Sequence, residues 1–129
     1  MTGPLIWVIE DNDQNFELVD FLLGESGYRV QRARDADELT PLLDGEPPAL
    51  VLLDMNLPSG SGLELLARLR ADDRSRRALV IALTAHAMRG DRERFLAAGC
   101  DGYISKPIES RAFLAAVAPY RDGLAVACE

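Results

Sequence analysis

Apolar positions along the chain follow two patterns that alternate. Leu5-Ile6-Trp7-Val8-Ile9, Leu50-Val51-Leu52-Leu53 and Leu79-Val80-Ile81-Ala82-Leu83 are nearly unbroken apolar runs of strand length. A strand covered on both faces reads this way, as in a parallel sheet, whereas a strand with one wet face alternates. Tyr28 to Gln31 and Tyr103-Ile104 are weaker strand signals, which places those two strands nearer the sheet edges. Between the runs, apolar residues recur at helical spacing: Phe16, Val19, Leu22 and Leu23; Leu65, Leu66 and Leu69; Phe95 with Leu96; Phe113, Leu114 and Val117.

Local punctuation supports this division. Gly27, Gly45 and Gly99 each follow a helical stretch, where a left-handed C-terminal cap calls for glycine. Asp35 with Glu38 three residues on predicts a capping box. Pro41 removes a backbone hydrogen bond inside that helix and predicts a kinked or shortened one. Pro119 predicts an early end to the last helix, leaving Tyr120 to Glu129 as a tail. Strand then helix, five times over, predicts an α/β fold: a (βα)5, doubly wound, five-stranded parallel sheet with helices on both faces. Such sheets gather function at the carboxyl ends of their strands.

The residues just past each run therefore carry the chemistry. Strand one ends in Glu10-Asp11, strand three in Asp54, strand four in Thr84 and strand five in Ser105-Lys106-Pro107. Carboxylates brought together there repel unless a cation neutralises them. An all-oxygen donor set favours a hard ion such as Mg²⁺. With a lysine and a hydroxyl added, the set suits a phosphoryl group, and a remaining carboxylate can act as nucleophile to form an aspartyl-phosphate. Each residue also has a plainer role: an aspartate after a strand often caps a turn, and acids suit a helix start. Joint placement at four separate strand ends is what favours a site. Lys106 is also the only lysine among the 14 basic residues, and a compact ammonium is not replaced by a planar guanidinium at a tight site.

Composition narrows the rest. The 129 residues fit one domain, and 48% hydrophobic with 27% charged residues suits a soluble globular chain. A net charge of -7 argues against nucleic acid or an acidic membrane surface as partner. The N-terminus lacks the pattern of a signal peptide, and no apolar stretch has the length of a membrane helix. Two cysteines, Cys100 and Cys128, form no disulfide framework and read as unlinked thiols in a reducing cytoplasm.

Four segments together resemble the receiver domain of two-component response regulators: Val8-Ile9-Glu10-Asp11-Asn12; Leu53-Asp54-Met55-Asn56-Leu57-Pro58 with Gly62; Leu83-Thr84-Ala85; and Gly102-Tyr103-Ile104-Ser105-Lys106-Pro107. Thr84-Ala85-His86-Ala87-Met88-Arg89-Gly90-Asp91, followed by Ala98-Gly99-Cys100-Asp101-Gly102-Tyr103, is most similar to single-domain DivK-type receivers. The resemblance implies strand order 2-1-3-4-5, a flavodoxin/CheY-like sheet, with residues 4–120 as receiver, 121–129 as tail and no output domain. It implies that Asp54 accepts a phosphoryl group from a phosphohistidine on a histidine kinase or phosphotransfer protein. Glu10, Asp11, Asp54 and the backbone carbonyl of Asn56 would bind Mg²⁺. Thr84 and Lys106 would hold phosphoryl oxygens, Tyr103 would be the aromatic switch, and Lys106-Pro107 would be a cis bond. Such a protein is a cytoplasmic switch rather than a turnover enzyme. It acts on a downstream protein through the face of helix four, strand five and helix five.

Rival readings use some of the same residues. Asp11-Asn12-Asp13 mimics the start of a haloacid-dehalogenase-type phosphatase with Asp11 as nucleophile, but the further acidic motif of that class is missing after Lys106. A flavin module of similar topology would want a hydroxyl-rich or glycine-rich first loop. A degenerate receiver would lack the acids, Thr84 or Lys106. The sole histidine, His86, reads either as a loop residue or as a group at the site mouth that tunes dephosphorylation.

Overall fold

In a computed structural model, residues 3–55, 62–73, 75–84, 90–106 and 108–121 are described. Five strands alternate with five helices. They are β1 (Leu5–Ile9), α1 (Asp13–Glu25), β2 (Arg29–Ala33), α2 (Ala36–Leu43), β3 (Leu50–Asp54), α3 (Gly62–Ala71), β4 (Leu79–Thr84), α4 (Asp91–Ala98), β5 (Gly102–Ser105) and α5 (Ser110–Arg121). The strands form one parallel sheet in the order β2-β1-β3-β4-β5, as expected. The two weak strand signals are the two edges, although β2 begins at Arg29, and Tyr28 before it is packed into the core.

Pleating assigns the faces, because successive side chains of a strand point to opposite sides. Trp7, Ile9, Val51, Leu53, Val80 and Ala82 pack with Leu39 and Leu43 of α2, Leu65, Leu66 and Leu69 of α3, and Phe95 of α4. Ile6, Val8, Leu50, Leu52, Ile81 and Leu83 pack with Val19, Leu22 and Leu23 of α1 and with Phe113 and Val117 of α5. The unbroken apolar runs are thus explained, since each face of the central strands has its own cover. Burying each of the valine, leucine, isoleucine and phenylalanine side chains contributes about 1.5–3 kcal/mol.

Several local expectations are met and others corrected. Asp35 caps α2, its Oδ1 accepting from Glu38 N at 3.0 Å. Glu38 Oε1 in turn accepts from Arg34 N at 2.8 Å, one residue before the cap, so the box is offset. Pro41 lies within α2, which is short at 8 residues. Gly27 (φ 89°) and Gly99 (φ 118°) take the left-handed conformation, and so does Gly90 (φ 90°). Gly45 does not. Its N–H bonds Leu42 O at 3.0 Å in an ordinary turn, so the left-handed cap expected there is corrected. Pro119 does not end α5, which runs through to Arg121, so the early end expected there is corrected. Proline deletes one backbone bond, and Phe113 and Val117 already anchor that helix in the core.

Among the described residues, no helix is long and apolar enough to cross a membrane. Cys100 is buried and carries no disulfide, and burial pushes its thiol up to about 11. Asn56, His86, Pro107 and Cys128, and with them the Asn56 ligand and the Lys106-Pro107 bond geometry, lie outside the described residues.

Candidate functional site

The same alternation that sorts the core places the chemistry. On β1, Ile6 and Val8 share a face, and Glu10 continues it; on β3, Leu50 and Leu52 are continued by Asp54; on β5, Ile104 is continued by Lys106. Val80 and Ala82 lie on the other face, and Thr84 continues that one, as does Tyr103. Two acids and the lysine thus meet on the α1/α5 side of the strand ends, while Thr84 and Tyr103 share the opposite side.

Glu10, Asp54 and Thr84 are almost completely buried, at 1%, 2% and 1% exposure. Lys106 Nζ donates to Glu10 Oε1 at 2.9 Å and to Asp54 Oδ2 at 3.1 Å. The main chain fixes these positions too. Lys106 N bonds Thr84 O at 2.7 Å, Met55 N bonds Leu83 O at 2.9 Å, and Glu10 N bonds Ala33 O at 3.0 Å. Four strand ends are therefore held in register around one ammonium.

Charge in this cluster is not balanced by Lys106 alone. Burial, first, and the adjoining Asp54 carboxylate push Glu10 up to about 7, against the pull of Lys106. Burial by itself would depress the Lys106 ammonium. Its bond to Glu10 and the charges of Asp54 and Glu10 more than offset that, and its pKa lies above the ordinary lysine value. Both directions describe one arrangement: a firmly charged lysine between two acids, with Glu10 the acid that readily takes a proton.

Asp11 is the more open third acid. One carboxylate oxygen from each of Glu10, Asp11 and Asp54 lies within 4.8 Å of the others. Ligands of an octahedral ion bound at about 2.1 Å stand roughly 3–4 Å apart, so small side-chain shifts close the set. Three hard anionic oxygens and a single neighbouring lysine fit a divalent cation such as Mg²⁺. Two backbone features support this corner. Asn12 caps α1 by accepting from Asn15 N at 2.9 Å. Gly62 lies against the end of β3, where a Cβ would come within 2.6 Å of Met55 Cα and 2.9 Å of Asp54 O. That close approach is the reason for glycine at this place in the motif.

One residue at this corner was not singled out from the sequence. Arg32 of β2 donates through Nε to Glu10 O at 3.1 Å and through Nη2 to Asp13 Oδ1 at 2.8 Å. A signal was present: Arg32 shares the α1 face with Val30, and a covered arginine needs partners. Asp13, the second acid of the phosphatase-like triplet, is thereby taken up by Arg32 and, at 3.5 Å, by Arg34, and it is not part of the acid cluster. Tyr103 is half-buried and stacks on Phe95 of α4, with ring centroids 6.1 Å apart.

A parallel sheet of this order with buried acids and a lysine at its carboxyl end is an arrangement that suits a phosphoryl group. Residues 6–118 match the family described as the response regulator receiver domain, and the chain belongs to that family of two-component signalling proteins. It is similar to the polar-differentiation response regulator DivK of Brucella anthropi, 42% identical over 115 residues that make up 89% of this chain and 94% of that protein. Among solved structures it resembles the receiver domain of a sensor histidine kinase from Pseudomonas aeruginosa PAO1, which has a magnesium ion coordinated in its active-site cleft. That match has a TM-score of 0.82 and 30% identity, covering 94% of this chain and 99% of the other. It also resembles a response regulator from Burkholderia pseudomallei with a phosphorylated aspartic acid, a calcium ion and citrate (TM-score 0.79, 28% identity, 95% and 72% coverage). Family membership displaces the phosphatase reading. Receiver domains take phosphoryl groups from histidine kinases and act on downstream targets.

Proposed function

We propose that Asp54 is the phosphoacceptor of this receiver. Its donor would be a phosphohistidine on a histidine kinase or a phosphotransfer protein. The observation that carries this reading is the buried Asp54 carboxylate bonded to Lys106 and within 4.8 Å of Glu10 and Asp11. A carboxylate oxygen of Asp54 attacks phosphorus while the bond to the imidazole nitrogen breaks, and the nitrogen keeps the electron pair. Lys106 and Thr84 contact the phosphoryl oxygens, where charge is spread as the group transfers. Glu10, Asp11, Asp54 and, by the family resemblance, the Asn56 carbonyl would hold Mg²⁺, which would supply neutralising charge beside those oxygens. The protein catalyses only its own phosphorylation and dephosphorylation.

Output follows from the other face of the strand ends. Thr84 is drawn toward the new oxygens, and Tyr103, which stacks on Phe95, follows it inward. The surface of α4, β5 and α5 then favours a second arrangement that a downstream protein binds, a population shift biased by local charge. The net charge of -7 supports protein partners rather than nucleic acid, and the family supports work in the cytoplasm. The receiver unit is residues 4–120, extended by the last residue of α5.

Incubation with acetyl phosphate and Mg²⁺, read by intact mass beside Asp54→Asn, tests the assignment. A single phosphoryl adduct that needs Mg²⁺ and is absent from the variant is expected. An adduct that survives in Asp54→Asn would overturn it. Steady phosphate release lost on Asp11→Asn but kept on Asp54→Asn would overturn it as well.

A further inference from the structure

The turn between β1 and α1 carries two of the three acids; within it Asn12 N donates to Glu10 Oε2 at 3.4 Å, and β2 holds the backbone of the acids from outside. Glu10 has both main-chain polar groups satisfied by β2: its N–H by Ala33 O and its carbonyl by Arg32 Nε at 3.1 Å. Arg32 Nη2 also reaches Asp11 O at 3.4 Å and Asp13 Oδ1 at 2.8 Å. The guanidinium lies over the Phe16 ring, 4.4 Å from its centroid, and the side chain is only 17% exposed. One planar fork therefore engages three consecutive parts of the turn: the Glu10 carbonyl, the Asp11 carbonyl and the first helical acid. The stack on Phe16 keeps the fork from rotating away. A lysine at this position offers a point charge and cannot span these acceptors together.

We propose that Arg32 is a positioning residue, whose guanidinium fixes the Glu10-Asp11 turn so that both carboxylates face a divalent cation together with Asp54. It touches neither the cation nor the phosphoryl group and acts through the backbone of the two acids. This rests on the proposed function above. Groups that orient metal ligands from behind typically change metal affinity by about 10–100-fold when replaced.

Two simpler roles make opposite forecasts. If Arg32 acted only as a nearby positive charge, removing it would make the acids more attractive to Mg²⁺, and lysine would substitute for it. If it acted only by packing on Phe16, its loss would lower the melting temperature without altering Mg²⁺ affinity well below that temperature.

Isothermal titration of Mg²⁺ into the whole chain, wild type beside Arg32→Lys and Arg32→Met, separates these roles. Both variants keep an unbranched stem of similar length but lose the guanidinium over Phe16, and only the lysine keeps the charge. Positioning predicts that Kd rises about tenfold or more in both. It also predicts that the acetyl phosphate reaction recovers toward the wild-type rate when Mg²⁺ is raised to saturation. Tighter binding in Arg32→Met with no change in Arg32→Lys would overturn the proposal. So would unchanged affinity in both with a lowered melting temperature. A wild-type chain that takes up no Mg²⁺ would remove the proposed function and this inference with it, whereas wild-type binding with unaffected variants removes only the inference.

Discussion

At the β2 flank of the sheet, the turn after β1 is tied on several sides. Ala33 and Arg32 grip the Glu10 backbone, Asn12 caps α1, and Val19, Leu22 and Leu23 bury that helix. At the β5 flank, α4 starts at left-handed Gly90 with no side-chain cap, and Phe95 is the buried side chain among those described in it. There β5 has no fully buried residue, and Tyr103 is half-covered by its stack on Phe95. On the proposed function the comparison teaches a division of labour: acids that are to share a cation need a rigid frame, whereas a surface that is to report phosphorylation must cost little to rearrange. Elements with few buried contacts and weak caps open most readily.

Lys106 joins the two flanks, because it leaves β5 to reach Glu10 and Asp54. Its loss is the most severe way to break the comparison. Lys106→Met should slow phosphorylation by acetyl phosphate roughly 10²–10³-fold, the usual cost of removing one group that stabilises developing oxyanion charge. Arginine should not rescue it, because a planar fork does not fit where a compact ammonium meets two acids. Stopped phosphorylation time courses at fixed Mg²⁺ would check this, and a rate near wild type in Lys106→Arg would show that charge alone suffices.

The frame itself is tested at Gly62. A Cβ there would meet Met55 Cα at 2.6 Å and Asp54 O at 2.9 Å. Both are backbone atoms at the end of β3, so the strand end must shift. Gly62→Ala should therefore cost about 1–3 kcal/mol in urea unfolding, as overpacking does. It should also displace Asp54 from Lys106 and slow phosphoryl uptake. Stability equal to wild type would mean that this corner yields more easily than its packing indicates.

Much of this was legible in the chain. The unbroken runs of β1, β3 and β4 announced a sheet covered on both faces, and the strand ends supplied Glu10, Asp11, Asp54 and Lys106, which the fold brings together. Pleat parity would even have paired Glu10, Asp54 and Lys106 on one face against Thr84 and Tyr103 on the other. Arg32 was missed because its role depends on a β2–β1 register, Val8 opposite Arg32, that no local pattern encodes. Gly45 and Pro119 misled for a related reason. A turn needs no left-handed residue when an ordinary one closes, and a helix anchored by Phe113 and Val117 outlasts one missing bond.

The rigid flank also sets a pH dependence. Burial, above all, pushes Glu10 from its ordinary 4.5 up to about 7. Between these values the folded chain binds more protons than the unfolded one. This contribution to stability is thus complete below about 4.5 and is lost as pH rises to about 7. Mg²⁺ must displace that proton, so its affinity should fall as pH drops below about 7, by at most about tenfold per pH unit. Above that point it should level off. Titrations on either side of neutrality would show it, and Glu10→Gln should flatten the profile. A slope that persists in Glu10→Gln would assign the proton to another group.

The smallest effect bears most directly on the contrast between flanks. Amide hydrogen exchange in the unphosphorylated chain should show α4 less protected than α1, by about tenfold or more. The reason is local. Opening α4 exposes, among the described side chains, chiefly Phe95 and breaks a helix whose N-cap, Gly90, offers no side-chain acceptor. Opening α1 exposes Val19, Leu22 and Leu23 and breaks the Asn12 cap. A cap of that kind is worth about 1 kcal/mol by itself. Arg70 works against the difference, because it ties Gly99 O at 2.7 Å and Asp101 at 2.9 Å to the end of α3. Arg70→Met should therefore lower the protection of α4 further while leaving α1 unchanged. Equal protection of the two helices in wild type would mean that the C-terminal tie dominates, and the low cost of rearranging this surface would then have to come from Tyr103 alone.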